Sequence, residues 1–450
     1  MARVPAAAER RKKAEKRSRQ IRFSPVAASS AAVAAGSDDK PWGQALAGRR
    51  FRWVLLSLAG VPIGLAYLWY GFVKPLVSDE ATDFVREYLA GGRVILHGGD
   101  PYQCGMTAAL CDGYPHYLLF YPPFAYWVAQ PLVRFDPRLV AGIALVVANV
   151  LLFAAIWLVL RALRVRDAQF ALLAVLVTIS FPPTLTVIQN RNSQVVVLIL
   201  IAIMLTAWLH GDRWWGGAAI GVGLAIKLIQ APLLLLSLWG RRFGLAAAAV
   251  VTWAVLWLVA VPQFLPEFLF RVAPSQVQGS HEVLNVAPFG TFNRLLHPET
   301  LYNSGGGGGW LVLGLSGAFG LAVVLLTARR LGAPRLDREG RVLEVATGVA
   351  ATPLLFTLTY AGQLVLLLLP MLALLHFGIR TRSRPVVVAV AASWVLMGPS
   401  YLALTNAMAA GLGSPLLLQI WADSALAGVI VLWVASLHAV GAKNGETQQK

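Results

Sequence analysis

Acidic side chains crowd the segment that follows the first long apolar run of the chain. Asp79, Glu80, Asp83 and Glu87 lie within a stretch of nine residues. Carboxylates beside a bilayer are costly unless water solvates them or a site uses them. If residues 79–96 form a helix on the membrane surface, Asp79, Asp83 and Glu87 recur every four residues and share one face. The pattern fits a carboxylate base that meets a lipid-borne substrate at the water boundary, and it equally fits a solvated amphipathic helix.

The ends of this surface helix can also be predicted. Ser78 or Asp79 can cap its start, and the glycines of the run Leu96-His97-Gly98-Gly99 supply a stop signal. Phe84 and Tyr88 would then face the apolar side.

A single lysine interrupts a long apolar run later in the chain. Lys227 lies near the middle of residues 214–240, after a glycine-rich segment and before Pro232. A buried ammonium group requires an anion or a path to water, and ionisable residues within membrane segments are functional candidates. The phosphate of a lipid-linked substrate would be a suitable anion. The alternative is that the side chain extends to the interface, as long cationic side chains do.

Amides and hydroxyls cluster in a turn between two apolar runs. Residues 189–194 read Gln-Asn-Arg-Asn-Ser-Gln. Asn192 and Gln194 could hydrogen-bond sugar hydroxyls, but such residues also suit any wet turn. Upstream, Tyr121-Pro122-Pro123-Phe124 marks the start of another element, because prolines cannot continue a helix.

The loop at residues 264–308 holds further candidates. His281, Asn285 and Arg294 lie in it, and His281 with the adjacent Glu282 could form an acid–base or phosphate-binding pair. A loop histidine that is simply exposed is the alternative. No HExxH, P-loop, CxxC or Ser-His-Asp signature is found, so the motifs do not support an ATP-driven pump or a zinc protease.

The composition predicts an all-α polytopic membrane protein. The 450 residues are 57% hydrophobic and 13% charged, whereas a soluble domain carries roughly 25% charged residues. Much of the net charge of +17 lies in the N-terminal segment and in short loops, where the positive-inside rule expects it. It therefore does not indicate nucleic-acid binding. Taking about 20 apolar residues for each crossing, the candidate spans are 52–74, 118–134, 139–161, 168–188, 192–210, 214–240, 243–263, 309–328, 344–359, 361–377, 385–403 and 413–438.

Basic turns orient these spans. Residues 241–242, 329–341 and 380–384 are rich in arginine and are expected to be cytoplasmic. Residues 75–117 and 264–308 are then the first and second extracytoplasmic loops.

One basic turn conflicts with twelve simple crossings. They leave the arginines of residues 161–166 outside, against the positive-inside rule. If 118–134 is instead a re-entrant or surface helix, 214–240 must break into two half-helices to restore parity, which Lys227 near its middle would allow. We take twelve crossings as the expectation and keep the second arrangement open.

The chain ends are predicted to be tails. Residues 1–50 are basic and lack an apolar core, which is typical of a disordered cytoplasmic tail that touches anionic membrane lipid. Residues 51–440 form the transmembrane domain, and residues 441–450 form a cytoplasmic C-terminal tail. Cys104 and Cys111 are expected to form a disulfide if the first loop faces an oxidising compartment, and the alternative is two free thiols.

The order of these candidate residues resembles that of glycosyltransferase family 87 in the GT-C superfamily. That family includes polyprenyl-phosphate-mannose-dependent mannosyltransferases. The resemblance covers about residues 52–300 and is carried by Asp83-Phe84, Gly98-Gly99-Asp100-Pro101-Tyr102, Tyr121-Pro122-Pro123-Phe124, Asn192-Ser193-Gln194, the glycine-rich segment that ends in Lys227 and Pro232, Asn285, and Phe292-Asn293-Arg294.

The resemblance implies a GT-C-like fold with about twelve transmembrane helices and two larger extracytoplasmic loops. It implies inverting transfer of one hexose, with mannose as the expected sugar, from a polyprenyl-phosphate donor to a glycolipid or glycan acceptor. The site would lie on the extracytoplasmic side of the cell (plasma) membrane. Asp83 matches the family's base, and Asp79 is the alternative. The substrate-binding set would be Lys227, Tyr121, Asn192, Gln194, His281, Asn285 and Arg294.

Cofactor use and two other functions stay open from the sequence. No cofactor is required, although the carboxylates could hold a divalent cation. A non-enzymatic transporter or flippase of a lipid-linked sugar would have the same spans and the same lysine. A structural or assembly partner in the cell envelope is supported only by the basic tail.

Overall fold

The computed structural model describes residues 42–78, 82–102, 121–277, 284–297, 309–332, 337–398 and 415–448. Regular secondary structure in these residues is entirely helical, as the composition predicts. The chain divides into two compact units, Met1–Leu55 and Leu56–Lys450. The described part of the first unit is helical, and all contacts discussed below lie in the second. Asp79, His281, Cys104 and Cys111 are outside the described residues, as is most of the predicted N-terminal tail.

The helices of the first half of the chain carry most of the candidate residues. They are α1 (Trp42–Leu68), a π-helical turn (Trp69–Val73), α2 (Lys74–Val77), a second π-helical turn (Phe84–Leu89), α3 (Ala90–Leu96), α4 (Pro123–Ala129), a 3-10 turn (Gln130–Arg134), α5 (Pro137–Ala162), α6 (Ala168–Ile179), α7 (Pro182–Asn190), α8 (Gln194–Leu209), α9 (Trp214–Ile226), a 3-10 turn (Leu228–Gln230) and α10 (Ala231–Trp239).

The second half continues the helical pattern. Its elements are α11 (Phe243–Ala260), a 3-10 turn (Pro262–Phe264), α12 (Leu265–Glu267), a π-helical turn (Phe268–Val272), α13 (Ala273–Val277), α14 (Pro288–Leu296), α15 (Trp310–Leu331), α16 (Arg338–Leu355), a 3-10 turn (Ala361–Leu367), α17 (Leu368–Arg380), α18 (Arg384–Met397) and α19 (Pro415–Gln448). The last helix runs through residues 441–448, which the sequence analysis assigned to a tail.

Aspartates begin three of these helices. Asp136 accepts a hydrogen bond from the backbone N–H of Leu139 at 2.9 Å, with Pro137 at the first helical position. Asp167 and Asp337 cap α6 and α16 in the same way. Such caps satisfy backbone donors that have no partner inside the helix. Of the two predicted caps, Ser78 is wrong, because Ser78 ends α2 with extended backbone and the next described helical turn begins at Phe84. Asp79 lies outside the described residues.

Six of the described helices are long and apolar enough to cross a membrane, or seven if one bent pair counts as a single span. The bent pair is α6 and α7, which meet at 61° across the break before Pro182. Four shorter apolar helices accompany them. These helices identify a multi-pass membrane protein, and the predicted number of about twelve crossings stays a prediction.

Two features match the arrangement that the sequence left open. Within the predicted segment 118–134, the described residues 121–134 form α4 and the following 3-10 turn, together twelve residues, which is short of the roughly 20 residues of a crossing. The segment 214–240 breaks at Lys227, whose backbone is extended with φ −157° and ψ 126°. Both a short 118–134 element and a broken 214–240 segment belong to the re-entrant scheme.

A cluster of paired charges joins three helices. It consists of Arg242, Asp212 and Glu344 together with the Trp208 ring, and is here called the Arg242 cluster. The guanidinium of Arg242 forms ion pairs with Asp212 at 2.8 Å and with Glu344 at 3.0 Å, and it lies over the Trp208 ring at 3.8 Å. The indole N–H of Trp208 donates to Glu344 at 3.3 Å. Arg341 donates to the Trp208 carbonyl at 2.6 Å. Helices α8, α10 and α16 are held together at this point.

Candidate active site

The side-chain amide of Asn192 joins an acidic and a basic side chain that are far apart in sequence. Its Nδ2 donates to Asp83 Oδ2 at 2.9 Å. Its Oδ1 accepts from Lys227 Nζ at 3.1 Å. An amide has both donors and acceptors, so one side chain fixes a carboxylate and an ammonium group at a short separation. Asp83, Asn192 and Lys227 are called the central triad below.

The break at Lys227 brings its side chain to this position. The backbone N–H of Lys227 still bonds to the carbonyl of Gly223 at 2.7 Å, but the residue itself is extended. Gly223 is required here because a Cβ would meet the amide of Gln230 at 2.3 Å. The helix thus ends at the point where the ammonium group contacts Asn192.

Arg191 fixes the turn that presents Asn192. It ends α7 in the left-handed conformation, with φ 49° and ψ 40°, which is uncommon for a residue other than glycine. Its guanidinium donates to the carbonyls of Ala141, Gln189 and Pro75. The bonds to Ala141 and Pro75 tie the turn to α5 and to α2, the helix that precedes the Asp83 segment, and the bond to Gln189 lies within the turn itself.

Aromatic rings form a platform below the triad. The Tyr121 ring stacks on Tyr88 with centroids 4.8 Å apart, and Lys227 Nζ lies 4.6 Å from the Tyr121 centroid. A cation over a tyrosine face is stabilised by the ring quadrupole. A 2.6 Å hydrogen bond joins the hydroxyls of Tyr88 and Ser193. The face of the Tyr121 ring therefore stabilises the ammonium group of Lys227. Tyr121 also directly precedes the prolines that start α4.

The Gly98-to-Tyr102 run supports this platform from behind. Gly98 has φ +76° and ends α3 as the glycine stop predicts. Asp100 Oδ1 accepts from the Tyr102 backbone N–H at 2.9 Å. The Tyr102 hydroxyl then donates to the Tyr121 carbonyl at 2.9 Å. The motif thus positions Tyr121.

A small residue lets the acidic segment approach α4. A Cβ on Gly91 would meet the ring of Tyr126 at 2.4 Å, and Tyr126 is fully buried with its hydroxyl accepting from the Tyr121 backbone N–H at 2.8 Å. Glycine is the side chain that fits between these elements.

The electrostatic environment of Glu87 differs from that of an exposed carboxylate. The pKa of Glu87 is raised to about 7, first by burial and second by the negative charge of Asp83. A hydrogen bond with Tyr121 and the positive charges of Lys227 and Arg86 oppose this rise. The result is a carboxyl group that can gain or lose a proton near neutral pH.

Several polar atoms next to the triad are buried without a hydrogen-bond partner in the part of the chain that the structure describes. They include both amide atoms of Gln194, Oε2 of Glu87 and Oγ1 of Thr82. Gln194 is fully buried, and its backbone N–H donates to Asn192 Oδ1 at 3.2 Å. Unpartnered buried polar atoms are rare in folded proteins, so these atoms have spare capacity for a substrate or water.

Two predicted binding residues lie in a separate cluster. Arg294 is fully buried and pairs with Asp423 on α19 at 2.6 Å. The side chain of Asn285 donates to the Thr357 carbonyl at 2.9 Å and accepts from the Thr359 backbone N–H at 3.0 Å. These bonds connect α14, α19 and the segment after α16. A substrate-binding role for Asn285 and Arg294 stays a prediction.

An apolar cavity of about 600 Å³ is lined in part by residues that follow Lys227 closely in the sequence. Ala231 and Pro232, at the start of α10, contribute to its wall, and α15 and the end of α16 form other parts of it. Its lining is almost entirely apolar. Such a cavity suits a hydrocarbon chain better than a sugar.

The described residues hold no group of three His, Cys, Asp or Glu side chains arranged for a metal ion. Asp79 and Glu80 are outside those residues, so the acidic segment is described only from Thr82 onward.

Sequence reasoning missed the roles of Tyr88, Tyr102 and Arg191. Arg191 and Tyr102 were seen only as members of motifs, and Tyr88 as an apolar-face residue. The left-handed position at the end of α7 is the type of signal that could have identified Arg191, since a turn between two helices requires a C-cap.

Comparison with known proteins fits this assembly of helices and polar residues. The model of glycosyltransferase family 87 matches residues 119–357, more than half of the chain. The chain therefore belongs to glycosyltransferase family 87. The matched stretch includes Tyr121, Asn192 and Lys227 but begins after Asp83, whose carboxylate accepts a hydrogen bond from Asn192.

Individual relatives cover shorter stretches. An alpha-(1->3)-arabinofuranosyltransferase of Mycobacterium tuberculosis is 32% identical over 157 residues, which are 33% of this chain and 35% of that protein. The alpha-(1->3)-arabinofuranosyltransferase of Corynebacterium glutamicum is 27% identical over 210 residues, 45% of this chain and 48% of that protein. A polyprenol-phosphate-mannose-dependent alpha-(1-2)-phosphatidylinositol mannoside mannosyltransferase of M. tuberculosis is 28% identical over 218 residues, 46% of this chain and 50% of that protein. The chain thus matches about a third to a half of the length of these relatives. No solved structure matches it.

Proposed function

We propose that the protein transfers one sugar from a polyprenyl-phosphate donor to a glycan or glycolipid acceptor on the extracytoplasmic side of the cell membrane. The observation that carries this proposal is the Asn192 amide, which holds the Asp83 carboxylate and the Lys227 ammonium group together. A carboxylate and a cation at this separation are the two groups that such a transfer needs.

The chemistry follows from the charges of the reacting groups. A sugar hydroxyl has too high a pKa to attack at neutral pH unaided. Asp83 accepts its proton as the new bond forms, and positioned acid–base groups typically contribute about 10²- to 10⁴-fold in rate. Negative charge grows on the departing phosphate, and Lys227 stabilises it. A single displacement inverts the anomeric carbon.

We place the lipid part of the donor in the apolar cavity. Ala231, four residues after Lys227 in the sequence, is one of the residues that line this cavity. A phosphate at Lys227 with a hydrocarbon tail in this cavity would leave the sugar beside Asn192 and Gln194, whose amide groups suit sugar hydroxyls. Asp79 and His281, which lie outside the described residues, remain the alternative base and an additional phosphate ligand in this proposal.

The sugar has two candidates. Mannose is the expectation from the sequence, and the mannosyltransferase relative supports it. The arabinofuranosyltransferase relatives support a pentofuranose instead. The donor chemistry at Lys227 would be the same in both cases.

The test is sugar transfer by the purified protein in detergent. Labelled polyprenyl-phosphate mannose and polyprenyl-phosphate arabinofuranose are supplied separately with a membrane lipid extract, with and without a divalent-metal chelator. We expect a labelled product from one donor with the wild type and a large loss with Asp83→Asn. A product from the arabinofuranose donor alone would replace mannose. Movement of labelled lipid across vesicles, with no new glycosidic bond from either donor, would refute the enzyme and favour a flippase.

A further inference from the structure

Glu87 is an acidic residue of this site that the mechanism above does not use. It lies four residues after Asp83, in the π-helical turn Phe84–Leu89. Residues at this spacing lie on one side of a helical turn, and π-helical turns occur frequently at functional sites. Both carboxylates interact electrostatically with Lys227.

Ionisable groups from three elements face Glu87. Its own turn contributes Asp83, Arg86 and the phenol of Tyr88. The segment of α4 and the residues before it contributes Tyr126 and Tyr121, and the break after α9 contributes Lys227. Asp83 raises the pKa of Glu87, whereas Lys227 and Arg86 lower it. A change in the charge of Asp83 therefore changes the pKa of Glu87.

One oxygen of Glu87 has no hydrogen-bond partner. Oε2 is buried, and the described residues offer it no donor, whereas the carboxyl group interacts with Tyr121 through a hydrogen bond. A buried carboxylate oxygen without a donor is unfavourable, and protonation lowers this cost because it removes the negative charge. This oxygen is therefore a position at which Glu87 can take up a proton.

We propose that Glu87 takes over the proton that Asp83 removes from the acceptor hydroxyl. This inference rests on the proposed function. As the acceptor oxygen bonds to the anomeric carbon, its O–H bond breaks and the proton goes to Asp83. The bond from the anomeric carbon to the phosphate oxygen breaks, and its electron pair leaves with the phosphate. The proton then passes from Asp83 to Glu87 and on to water, which returns Asp83 to its ionised state.

The properties of Glu87 suit this step. A group that accepts and releases a proton in each turnover works best when its pKa is near the working pH, and the pKa of Glu87 is raised to about 7. Below that pH Glu87 already carries a proton and cannot receive another. The rate should therefore fall on the acid side as Glu87 becomes protonated.

The experiment is the pH profile of kcat for sugar transfer by the full-length protein in detergent. We compare the wild type with Glu87→Gln, Glu87→Asp and Glu87→Ala. The control is Glu267→Gln, a partly exposed glutamate that pairs with the exposed Arg271 on its own helical segment. We expect Glu87→Gln to lose on the order of 10²-fold in kcat at pH 8, the lower end of the range for acid–base groups, with little change in donor KM.

Three further results are expected if Glu87 carries the proton. The acid limb of the wild-type profile shifts to lower pH in Glu87→Gln. Glu87→Asp recovers part of the rate, and added formate recovers part of the rate of Glu87→Ala. A purely structural role would lower kcat equally at every pH without rescue by formate. A Glu87→Gln profile parallel to that of an active wild type would overturn this inference alone. An inactive wild type with all lipid-phosphate donors would overturn the proposed function and this inference with it.

Discussion

The central triad and the Arg242 cluster both bury charged side chains, but they satisfy them differently. In the Arg242 cluster every charge faces an opposite charge, with Arg242 between Asp212 and Glu344 and an aromatic ring below. In the triad the charges are joined through the neutral amide of Asn192. Atoms of Glu87 and Gln194 beside it have no partner in the described residues.

The difference shows which cluster holds the fold and which can do chemistry. A buried ion pair resists change, and loss of one partner leaves an uncompensated charge. A carboxylate held by an amide keeps the lone pairs and basicity that a proton acceptor needs. The Arg242 cluster is therefore expected to control stability, and the central triad is expected to control activity.

The largest expected effect separates these two roles. Asp83→Asn should lower sugar transfer by about 10²- to 10⁴-fold because the amide cannot accept a proton, while the midpoint of thermal unfolding changes little. The measurement is initial rate and thermal unfolding on the same preparation, with Glu267→Gln as the control. Full activity of Asp83→Asn would exclude it as the base and direct attention to Asp79.

The complementary change is in the Arg242 cluster. Glu344→Ala should lower the free energy of unfolding by about 3–5 kcal/mol, since it leaves Arg242 buried with one partner fewer. The surviving folded protein should retain its specific activity. The matched control is Glu339→Ala on the same helix, whose side chain is partly exposed and pairs with Arg380 and Lys443. That variant should cost about 0–1 kcal/mol in a denaturant titration in detergent.

The next effect concerns the cation. Lys227→Met keeps most of the side-chain volume but removes the charge that stabilises the departing phosphate. We expect a loss of roughly 1.5–3 kcal/mol in transition-state stabilisation, the usual range for a hydrogen bond to a charged group, measured as kcat/KM for the donor. Lys74→Met, at an exposed position, should be neutral. Equal donor kcat/KM for the wild type and Lys227→Met would show that the phosphate binds elsewhere.

Sequence patterns predicted the local features of the triad better than its surroundings. The isolated lysine, the polar turn and the acidic segment were recognised as candidates because each is unusual within apolar sequence. The break at Lys227 and the stop at Gly98 follow from local signals, an ionisable residue in an apolar run and a glycine.

Long-range partners could not be predicted in the same way. Arg294 pairs with Asp423, 129 residues away, and no periodicity within either helix indicates that pairing. Arg191 contacts the carbonyls of Ala141 and Pro75, which are 50 and 116 residues away, and a backbone carbonyl has no sequence signature. The short α4 matches the alternative that the sequence left open, because apolar length alone does not distinguish a crossing helix from a short buried one.

A smaller effect tests the packing that brings the acidic segment to the triad. Gly91→Ala places a methyl group 2.4 Å from the Tyr126 ring, and overpacking typically costs about 1–3 kcal/mol. Because Tyr126 supports Tyr121, we expect reduced activity as well as lower stability. Gly64→Ala, which has open space around its Cβ in α1, is the control in the same thermal unfolding and transfer assays. Wild-type behaviour of Gly91→Ala would mean that the two elements separate more easily than their contact indicates.

The smallest expected effect concerns the stability of the site itself. The pKa of Glu87 is raised to about 7 in the folded protein, above its ordinary value of about 4.3 in the unfolded chain. The folded state therefore binds the proton more tightly than the unfolded state does. The stabilisation that this gives the folded state is complete below about pH 4. This stabilisation declines as Glu87 ionises in the unfolded state, and it is lost as the pH rises through about 7. Above that pH the buried carboxylate destabilises the fold.

Glu87→Gln, which cannot ionise, should avoid this loss. Its unfolding free energy should exceed that of the wild type at pH 8 by on the order of 1–2 kcal/mol, since a pKa difference of one corresponds to about 1.4 kcal/mol and partial exposure screens the charge. The difference should shrink at pH 5. Denaturant titrations at both pH values measure it, and Glu344→Gln in the Arg242 cluster should destabilise at both. If Glu87→Gln is both more stable and less active than the wild type, this part of the site is kept for catalysis at the expense of stability. Equal stability of the two proteins at pH 8 would mean that the surroundings already compensate the charge of the Glu87 carboxylate.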